Sequence, residues 1–434
     1  MLQAFKLVEH ALFLCENKAE NQKLEEKVKS LGCEYQPIFT AKIISEASML
    51  MRAVLSSPLS AEPYINANAN KLYSQLVDRL EIEKRIAFLH KRPWLAIETL
   101  TPYIHLRQLG YQNEIANKLL KCVCSSGQLW KAEQTPTQIF EAQWLYWLHT
   151  ATIHPDTSST LRATCLGRGM PILGSVTEDI YAFTHCLLFL TDLGIQHWQG
   201  LPREKMTILS DARLLLITSM DYGNYDLAAE LLWSWPILGL SMDCTAEFFY
   251  STLCSIQGEN GYLPGPYFQK EVHDALSESL REHYIVTNCY HSTVVMGILA
   301  SLISRASNHM LQSSSKDEDE TLELTEHFIN HVGSASQSSR ALALIPSRFP
   351  KAAWEMHLTE KSATRLAPMF LDIALKRAME SDDASALIKC FDFMMNEEIV
   401  ESQFGREALD YYKRITFLAK QGFSPEGNSA KQGR

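Results

Sequence analysis

Residues 175–194 read SVTEDIYAFTHCLLFLTDLG, and this stretch carries the pattern that decides the fold. Its apolar residues recur at the three- and four-residue spacing of an amphipathic helix. Ser175 and Glu178 match a capping box at the helix start, and Gly194 suits the position just after the helix end. We therefore predict a helix over residues 179–193.

The same spacing occurs along most of the chain, whereas a strand-length run of alternating residues is hard to find. The connections between helical segments are short and rich in glycine and asparagine. The fold class is therefore all-α, built from helical hairpins. The further predicted helices cover residues 2–15, 43–55, 139–148, 204–220, 225–235, 243–256, 290–303, 368–379 and 384–395.

One weak internal repeat bears on the domain organisation. Residues 111–120 and 222–232 align when one residue is gapped, and each copy follows one helix and opens another. Residues 1–160 are interpreted as a helical N-terminal part and residues 161–421 as the part with the candidate site. Because the repeat crosses that boundary, one continuous α/α domain stays an alternative. Loops are expected over residues 152–175, 257–266 and 312–320, and a disordered tail over residues 422–434.

Composition excludes several function classes. The 434 residues include 40 basic and 50 acidic side chains, a net charge of -10, which disfavours binding to a nucleic-acid backbone. No apolar run reaches the roughly 18–20 residues of a membrane span. The N-terminus lacks the cleavage site of a signal peptide, and the ten cysteines are scattered. We expect reduced thiols and a cytoplasmic protein.

The helix over residues 179–193 carries the first candidate site. At 100° per residue, Tyr181, His185 and Asp192 fall on one stripe of an otherwise apolar helix. Asp192 also lies in the last predicted turn, where the helix dipole disfavours a carboxylate. The alternative is structural: Asp192 caps a neighbouring helix, and His185 is a satisfied core histidine.

Two further candidates follow along the chain. Asp221 closes the predicted helix 204–220, again as an acid at a helix end, although Asp221 or Asn224 could instead cap the next helix. The loop GENGYLPGP (258–266) has a backbone fixed by proline and special glycine dihedrals. It can hold Glu259 and Tyr262 over a pocket, or it can be a rigid turn that packs on a helix end.

The third candidate motif, TNCYHST (287–293), is expected to open a helix that Thr287 or Asn288 caps. Tyr290 and His291 would then lie in its first turn, where the positive end of the dipole lowers the pKa of an imidazole. A neutral histidine is what a general base or a metal ligand requires. The alternative is a helix-start histidine bonded to a nearby carbonyl.

Together these motifs resemble a family of uncharacterised bacterial all-helical proteins associated with specialised metabolism. The resemblance covers about residues 175–300. A more distant similarity in fold is to α/α-toroid enzymes, such as terpenoid cyclases, polysaccharide lyases and sugar epimerases, in which inner-helix ends place polar residues in a central cavity. Fold analogy alone does not give function. The first resemblance implies that the following are family features: Tyr181, His185, Asp192, Tyr262, Tyr290 and His291.

Other patterns in the sequence are weaker indications of a site. His327 and His331 lie one helical turn apart but lack the glutamate of a zincin helix. Cys122 and Cys124 have the wrong spacing for a zinc knuckle. The acidic residues 316–320 match no diphosphate-binding pattern. No phosphate-binding loop, nucleophile elbow or dinucleotide fingerprint occurs, so no organic cofactor is implied.

The sequence hypothesis is an enzyme whose acid–base residues line a cavity of a helical barrel and act on a small molecule or peptide by lyase, isomerase, cyclase or hydrolase chemistry. Its residues are His185, Asp192, His291, Tyr262, Tyr181, Asp221, Tyr290 and Glu259. A divalent metal on His185, Asp192 and His291 is one version of it. A homo-oligomer or a partner protein of the same pathway is a further expectation. The alternative function is a non-catalytic helical-repeat scaffold that binds a partner protein.

Overall fold

The structure is a computed structural model that describes residues 1–126, 133–170, 172, 175–196, 200–313, 335–345, 352–359, 366–397 and 403–420. Over these residues the chain is helical and contains no strand, which confirms the all-α prediction. Three segments named in the sequence analysis lie outside the described residues: the acidic residues 316–320, the pair His327 and His331, and the tail 422–434.

The helices are numbered in chain order. The first eleven are α1 (Leu2–Glu16), α2 (Lys18–Ser30), α3 (Thr40–Leu55), α4 (Pro63–Asp78), α5 (Ile82–Lys91), α6 (Ala96–Thr99), α7 (Thr101–Gln108), α8 (Glu114–Ser126), α9 (Pro136–Thr150), α10 (Thr157–Ala163) and α11 (Cys165–Arg168).

The remaining helices are α12 (Thr177–Leu190), α13 (Lys205–Asp221), α14 (Tyr225–Leu231), α15 (Ser234–Leu238), α16 (Cys244–Asn260), α17 (Lys270–Ala275), α18 (Glu278–Ser313), α19 (Ala335–Ala343), α20 (Ala367–Glu380), α21 (Ala384–Glu397) and α22 (Gln403–Lys420). Short 3-10 turns cover Pro58–Ala61, Pro93–Leu95 and Ala353–His357.

Most predicted helices are confirmed, and the errors concern boundaries. The helix predicted over residues 225–235 is two helices, α14 and α15, which are separated by Leu232 and Trp233. The expected loop 152–175 contains α10 and α11, and α16 extends to Asn260. α12 begins after Val176, so Ser175 does not hold the predicted cap position.

The largest error concerns α18, which begins at Glu278 rather than near Tyr290. The residues expected to cap it are satisfied inside the helix instead: the Thr287 hydroxyl donates to the carbonyl of His283, and the Asn288 amide donates to that of Tyr284. His291 is therefore a mid-helix residue, and the dipole of a first turn does not act on it.

α18 is a central helix of the fold. It packs against α1, α3, α14 and α15, so helices from both sides of residue 160 meet on it. By length and hydropathy alone, its residues 278–307 could cross a membrane, although no such run was expected from the sequence. Since 78% of that apolar window is buried inside the protein, packing in the core accounts for its composition.

The two copies of the sequence repeat play the same local role. Asn113 accepts a hydrogen bond from the N–H of Ala116 at the start of α8, and Asn224 accepts one from Leu227 at the start of α14. In each case an asparagine side chain satisfies an otherwise unpaired backbone donor. The repeat therefore marks two equivalent helix starts, the second of which positions the candidate site.

Candidate functional site

Four helices bring ionisable side chains together at one place. α3 contributes Glu46, α12 contributes His185, α14 contributes Asp226 and Glu230, and α18 contributes His291. We call these five residues the carboxylate–histidine cluster.

The acidic side of the cluster comes from one short helix. Asp226 and Glu230 are four residues apart on α14, so both carboxylates project from one face. Both residues are only 1% exposed, and the rest of α14 is almost entirely apolar and buried. Two buried acids on one helical face need partners, because an unpaired buried charge is costly.

His291 lies between two carboxylates. Its Nδ1 is 3.1 Å from Oε1 of Glu46, and its Nε2 is 3.5 Å from Oδ2 of Asp226. Burial lowers the pKa of His291, but the Asp226 and Glu46 carboxylates outweigh burial and raise that pKa to about 10. The lowered pKa that we predicted from a helix start was therefore wrong, since carboxylates rather than a helix end surround this imidazole.

His185 forms the second imidazole–carboxylate pair. Its Nε2 is 3.5 Å from Oε1 of Glu230, and its side chain is 41% exposed. The Thr184 hydroxyl donates to the other oxygen of Glu230 at 2.5 Å. Burial acts to lower the pKa of His185, and the Glu230 carboxylate overcomes it, so that the pKa is raised.

Two tyrosines border the cluster. The Tyr181 hydroxyl donates to Oδ2 of Asp226 at 2.6 Å. Burial, followed by the Asp226 carboxylate, raises the pKa of Tyr181. Burial, followed by the Glu46 carboxylate, raises the pKa of Tyr290. Both phenols therefore stay protonated at neutral pH and can donate hydrogen bonds.

The loop GYLPGP (261–266) does not supply a side chain to the cluster; it braces α18. The N–H of Leu263 donates to the Thr293 hydroxyl at 3.0 Å, and a Cβ at Gly265 would lie 2.0 Å from the carbonyl oxygen of Asn288. Only glycine permits this close backbone approach. Glu259 is exposed at the end of α16, and Tyr262 packs against Phe268 with ring centroids 5.6 Å apart.

Asp192 is not part of the cluster, because its carboxylate is paired with other side chains. The Arg52 side chain donates to Oδ2 of Asp192, and the Trp144 indole donates to Oδ1 at 2.9 Å. Asp192 is 3% exposed and follows the end of α12 with a φ of 52°. Its carboxylate thus neutralises a buried arginine, a structural role different from the helix cap that the sequence suggested as the alternative.

Asp221 has a similar structural environment. Arg377 donates to its Oδ1 at 2.6 Å, and Lys376 donates to its Oδ2 at 3.1 Å, while all three side chains are nearly fully buried. Asn224, not Asp221, caps α14. The acid at the end of α13 therefore holds α20 rather than joining the candidate site.

An open pocket adjoins the cluster. Its lining includes four aromatic side chains, Phe140, Trp144, Trp147 and Phe189, and the acidic residue Asp192. The Phe189 ring stacks on the Trp144 ring with the two centroids 4.7 Å apart. Phe189 also contacts His185, with the two rings tilted and their centroids 5.7 Å apart. One aromatic residue is thus shared by the apolar pocket and the cluster.

The sequence interpretation located part of this site. Tyr181, His185, Tyr290 and His291 lie at the cluster, whereas Asp192, Asp221, Glu259 and Tyr262 do not share it. The sequence interpretation missed Glu46, Asp226 and Glu230. The signal that could have found two of them is the spacing of Asp226 and Glu230 on one face of an apolar helix.

Comparison with known proteins places the chain in a family. The model of DUF6895, a domain of unknown function, matches residues 11–301. The chain belongs to the DUF6895 family. No curated protein and no solved structure matches it. The matched region contains every residue of the carboxylate–histidine cluster.

Proposed function

We propose that this DUF6895 protein is an enzyme that transfers protons on a small molecule or peptide. One observation carries the proposal: two imidazoles from separate helices converge on the buried carboxylates Asp226 and Glu230. Unlike the Asp221 group, in which two cations face one acid, this cluster places three acids against two imidazoles, although each buried charge costs free energy.

His185 is the proton carrier in this proposal. Its Nε2 faces Glu230, which holds the ring orientation, and its side chain is the more exposed of the two imidazoles. Nδ1 is then the atom that gives a proton to the substrate or takes one from it. Thr184 fixes Glu230 in turn, as an orienting carboxylate requires.

Tyr181 and the aromatic pocket complete the proposed site. The phenol of Tyr181 donates its single proton to Asp226 and so fixes that carboxylate beside the reacting atoms. An apolar part of the substrate occupies the pocket beside Phe189, which brings the reacting atoms to His185. Lyase, isomerase, cyclase and hydrolase reactions all use such proton transfers.

The wider assignment follows from the sequence and stays part of the proposal. The protein acts in bacterial specialised metabolism, in the cytoplasm, on a substrate that is neither nucleic acid nor membrane lipid. Its hairpins are arranged as in an α/α toroid. Support for the last point is that helices consecutive in the chain, such as α3 with α4 and α13 with α14, pack in pairs.

Conversion of natural compounds tests the proposal. The purified protein is incubated with an extract of small molecules and peptides from its source cells, and mass spectrometry records which compounds change. We expect the wild-type protein to convert at least one compound, and His185→Gln and Glu230→Gln to slow that conversion at least about a hundredfold. His273→Gln is the matched control, since His273 forms a surface pair with Asp274 at 2.9 Å.

Equal conversion by the wild-type protein and His185→Gln would contradict the proposal. So would an extract in which the wild-type protein changes no compound. A melting temperature recorded for each variant separates lost chemistry from lost folding. A loss of stability in His185→Gln with no compound converted by any protein would favour the helical scaffold.

A further inference from the structure

We infer that Asp226, Glu230 and His291 bind a divalent transition-metal ion. One ligand atom from each of these residues lies within 4.8 Å of the other two. The inference deepens the proposed function because it concerns the same site. Its experiment measures metal binding rather than substrate conversion. The metal site and the proposed enzyme activity can therefore be refuted independently of each other.

The spacing of the ligand atoms suits a metal. In a tetrahedral site with bonds of 2.0–2.1 Å, two ligand atoms lie about 3.4 Å apart. His291 Nε2 and Asp226 Oδ2 are 3.5 Å apart before any ion draws them together. The third ligand, Glu230, projects from the same face of α14 as Asp226, one helical turn further along.

Each ligand is held by a second side chain. Glu46 lies 3.1 Å from His291 Nδ1, which leaves Nε2, on the Asp226 side, as the atom that gives up its proton when a metal binds. Tyr181 donates to Asp226, and Thr184 donates to Glu230. Protein metal sites orient their ligands through hydrogen bonds of this kind.

An unsatisfied oxygen is a second, independent sign of a ligand. Oδ1 of Asp226 is buried and has no hydrogen-bond partner among the described residues. The same carboxylate faces His291 through its other oxygen. Buried carboxylate oxygens almost always have a partner, and a cation at this position would supply it.

The ligand types indicate the class of metal. One imidazole nitrogen and two carboxylate oxygens suit Zn²⁺, Mn²⁺ or Fe²⁺, whereas Mg²⁺ and Ca²⁺ favour oxygen ligands alone. The set replaces the one expected from the sequence, His185 with Asp192 and His291. Asp192 already accepts hydrogen bonds from Arg52 and Trp144 and neutralises the buried arginine, whereas Oδ1 of Asp226 has no described partner.

Calorimetric titration of EDTA-treated protein with Zn²⁺ and with Mn²⁺ tests the inference. We expect one ion per chain for at least one of the two metals. Asp226→Asn and His291→Gln should weaken binding at least about a hundredfold, and Glu46→Gln, which leaves every ligand in place, about 10- to 100-fold. His273→Gln is expected to bind like the wild-type protein.

X-ray absorption of the metal-loaded wild-type protein adds a test that needs no variant. The expected spectrum has one imidazole and oxygen ligands around the ion. The inference is overturned if neither metal binds in a one-to-one ratio, or if His291→Gln binds as tightly as the wild-type protein. If the protein bound no metal but substrate conversion still depended on His185, the metal site would be refuted and the proposed function would still hold.

Discussion

A histidine outside the cluster is the clearest single residue whose ionisation the fold controls. His105 on α7 is fully buried, and its ring packs against Trp144 with centroids 5.2 Å apart. Neither ring nitrogen has a hydrogen-bond partner within the described part of the chain. Burial, followed by the charge of nearby Arg52, lowers the pKa of His105 well below 6.5. The folded protein therefore holds this imidazole neutral.

This state makes the unfolding free energy depend on pH. Below about pH 6.5 the unfolded chain binds a proton at His105 that the folded chain does not, so stability falls as the pH falls, by up to about 1.4 kcal/mol per pH unit. We expect His105→Phe to remove the contribution of His105 to the pH dependence of the unfolding free energy. Urea unfolding at pH 7.0 and 5.5 measures it, with His154→Phe as the control. An unchanged slope in His105→Phe would contradict the assignment.

The buried acid Asp221 gives a second prediction at this scale. Asp221→Asn leaves Arg377 and Lys376 with weaker compensation in a buried position, and we expect a loss of about 3 kcal/mol in unfolding free energy. Conversion of substrate by the folded variant should be unchanged, because Asp221 lies outside the cluster. Chemical unfolding and the conversion assay together check this, with the exposed Glu114→Gln as the control.

A folded Asp221→Asn protein that no longer converted substrate would show that this residue belongs to the candidate site.

The stabilisation that Asp221 gives the folded protein also depends on pH. Burial raises the pKa of Asp221, but Arg377 and Lys376 outweigh it and lower that pKa. Its stabilisation is therefore present above about pH 4 and is lost only as the pH falls below that value.

At the scale of the element, α18 shows what the sequence could and could not predict. Its apolar spacing predicted a helix, but the motif TNCYHST resembles a helix start because threonine and asparagine are typical cap residues. These side chains bond to carbonyls four residues earlier, an option that local sequence does not separate from capping. The predicted first turn is therefore the middle of a long helix.

Two glycines in helices offer a matched test of how α18 packs. A Cβ at Gly297 would lie 2.9 Å from Leu50 of α3 and 3.2 Å from Ala4 of α1, whereas nothing described lies within 4 Å of one at Gly258 in α16. Gly297→Leu should lower the unfolding free energy by about 1–3 kcal/mol through overpacking. Gly258→Leu should raise it by about 0.5–1 kcal/mol, since leucine favours helix.

Thermal and urea unfolding of the two variants measures these opposite effects. If Gly297→Leu were as stable as Gly258→Leu, the close packing of α18 against α1 and α3 would be wrong. The comparison is informative because both substitutions add the same side chain to a helix. Only the surroundings of the two positions differ.

At the scale of the whole molecule, the sequence predicted the fold class but only four of the seven residues of the candidate site. Tyr181 and His185 stood out because polar residues shared an apolar stripe. Asp192 and Asp221 were predicted as site residues because each is an acid at a helix end. The sequence looks the same there whether the acid pairs with an arginine or binds a ligand. The missed acid Glu46 lies in an ordinary helix, and only tertiary packing brings it to His291.

The central claim is that the carboxylate–histidine cluster serves chemistry rather than stability. Three carboxylates of the cluster face two imidazoles, so removing one acid relieves repulsion among the rest. A structural ion-pair network would respond differently, since breaking a buried pair costs about 3–5 kcal/mol.

Urea unfolding of Glu230→Gln in the presence of EDTA tests this claim most directly. The cluster as a functional site predicts an unfolding free energy equal to or higher than that of the wild-type protein. A loss of about 3 kcal/mol or more would contradict it and would make the cluster part of the scaffold.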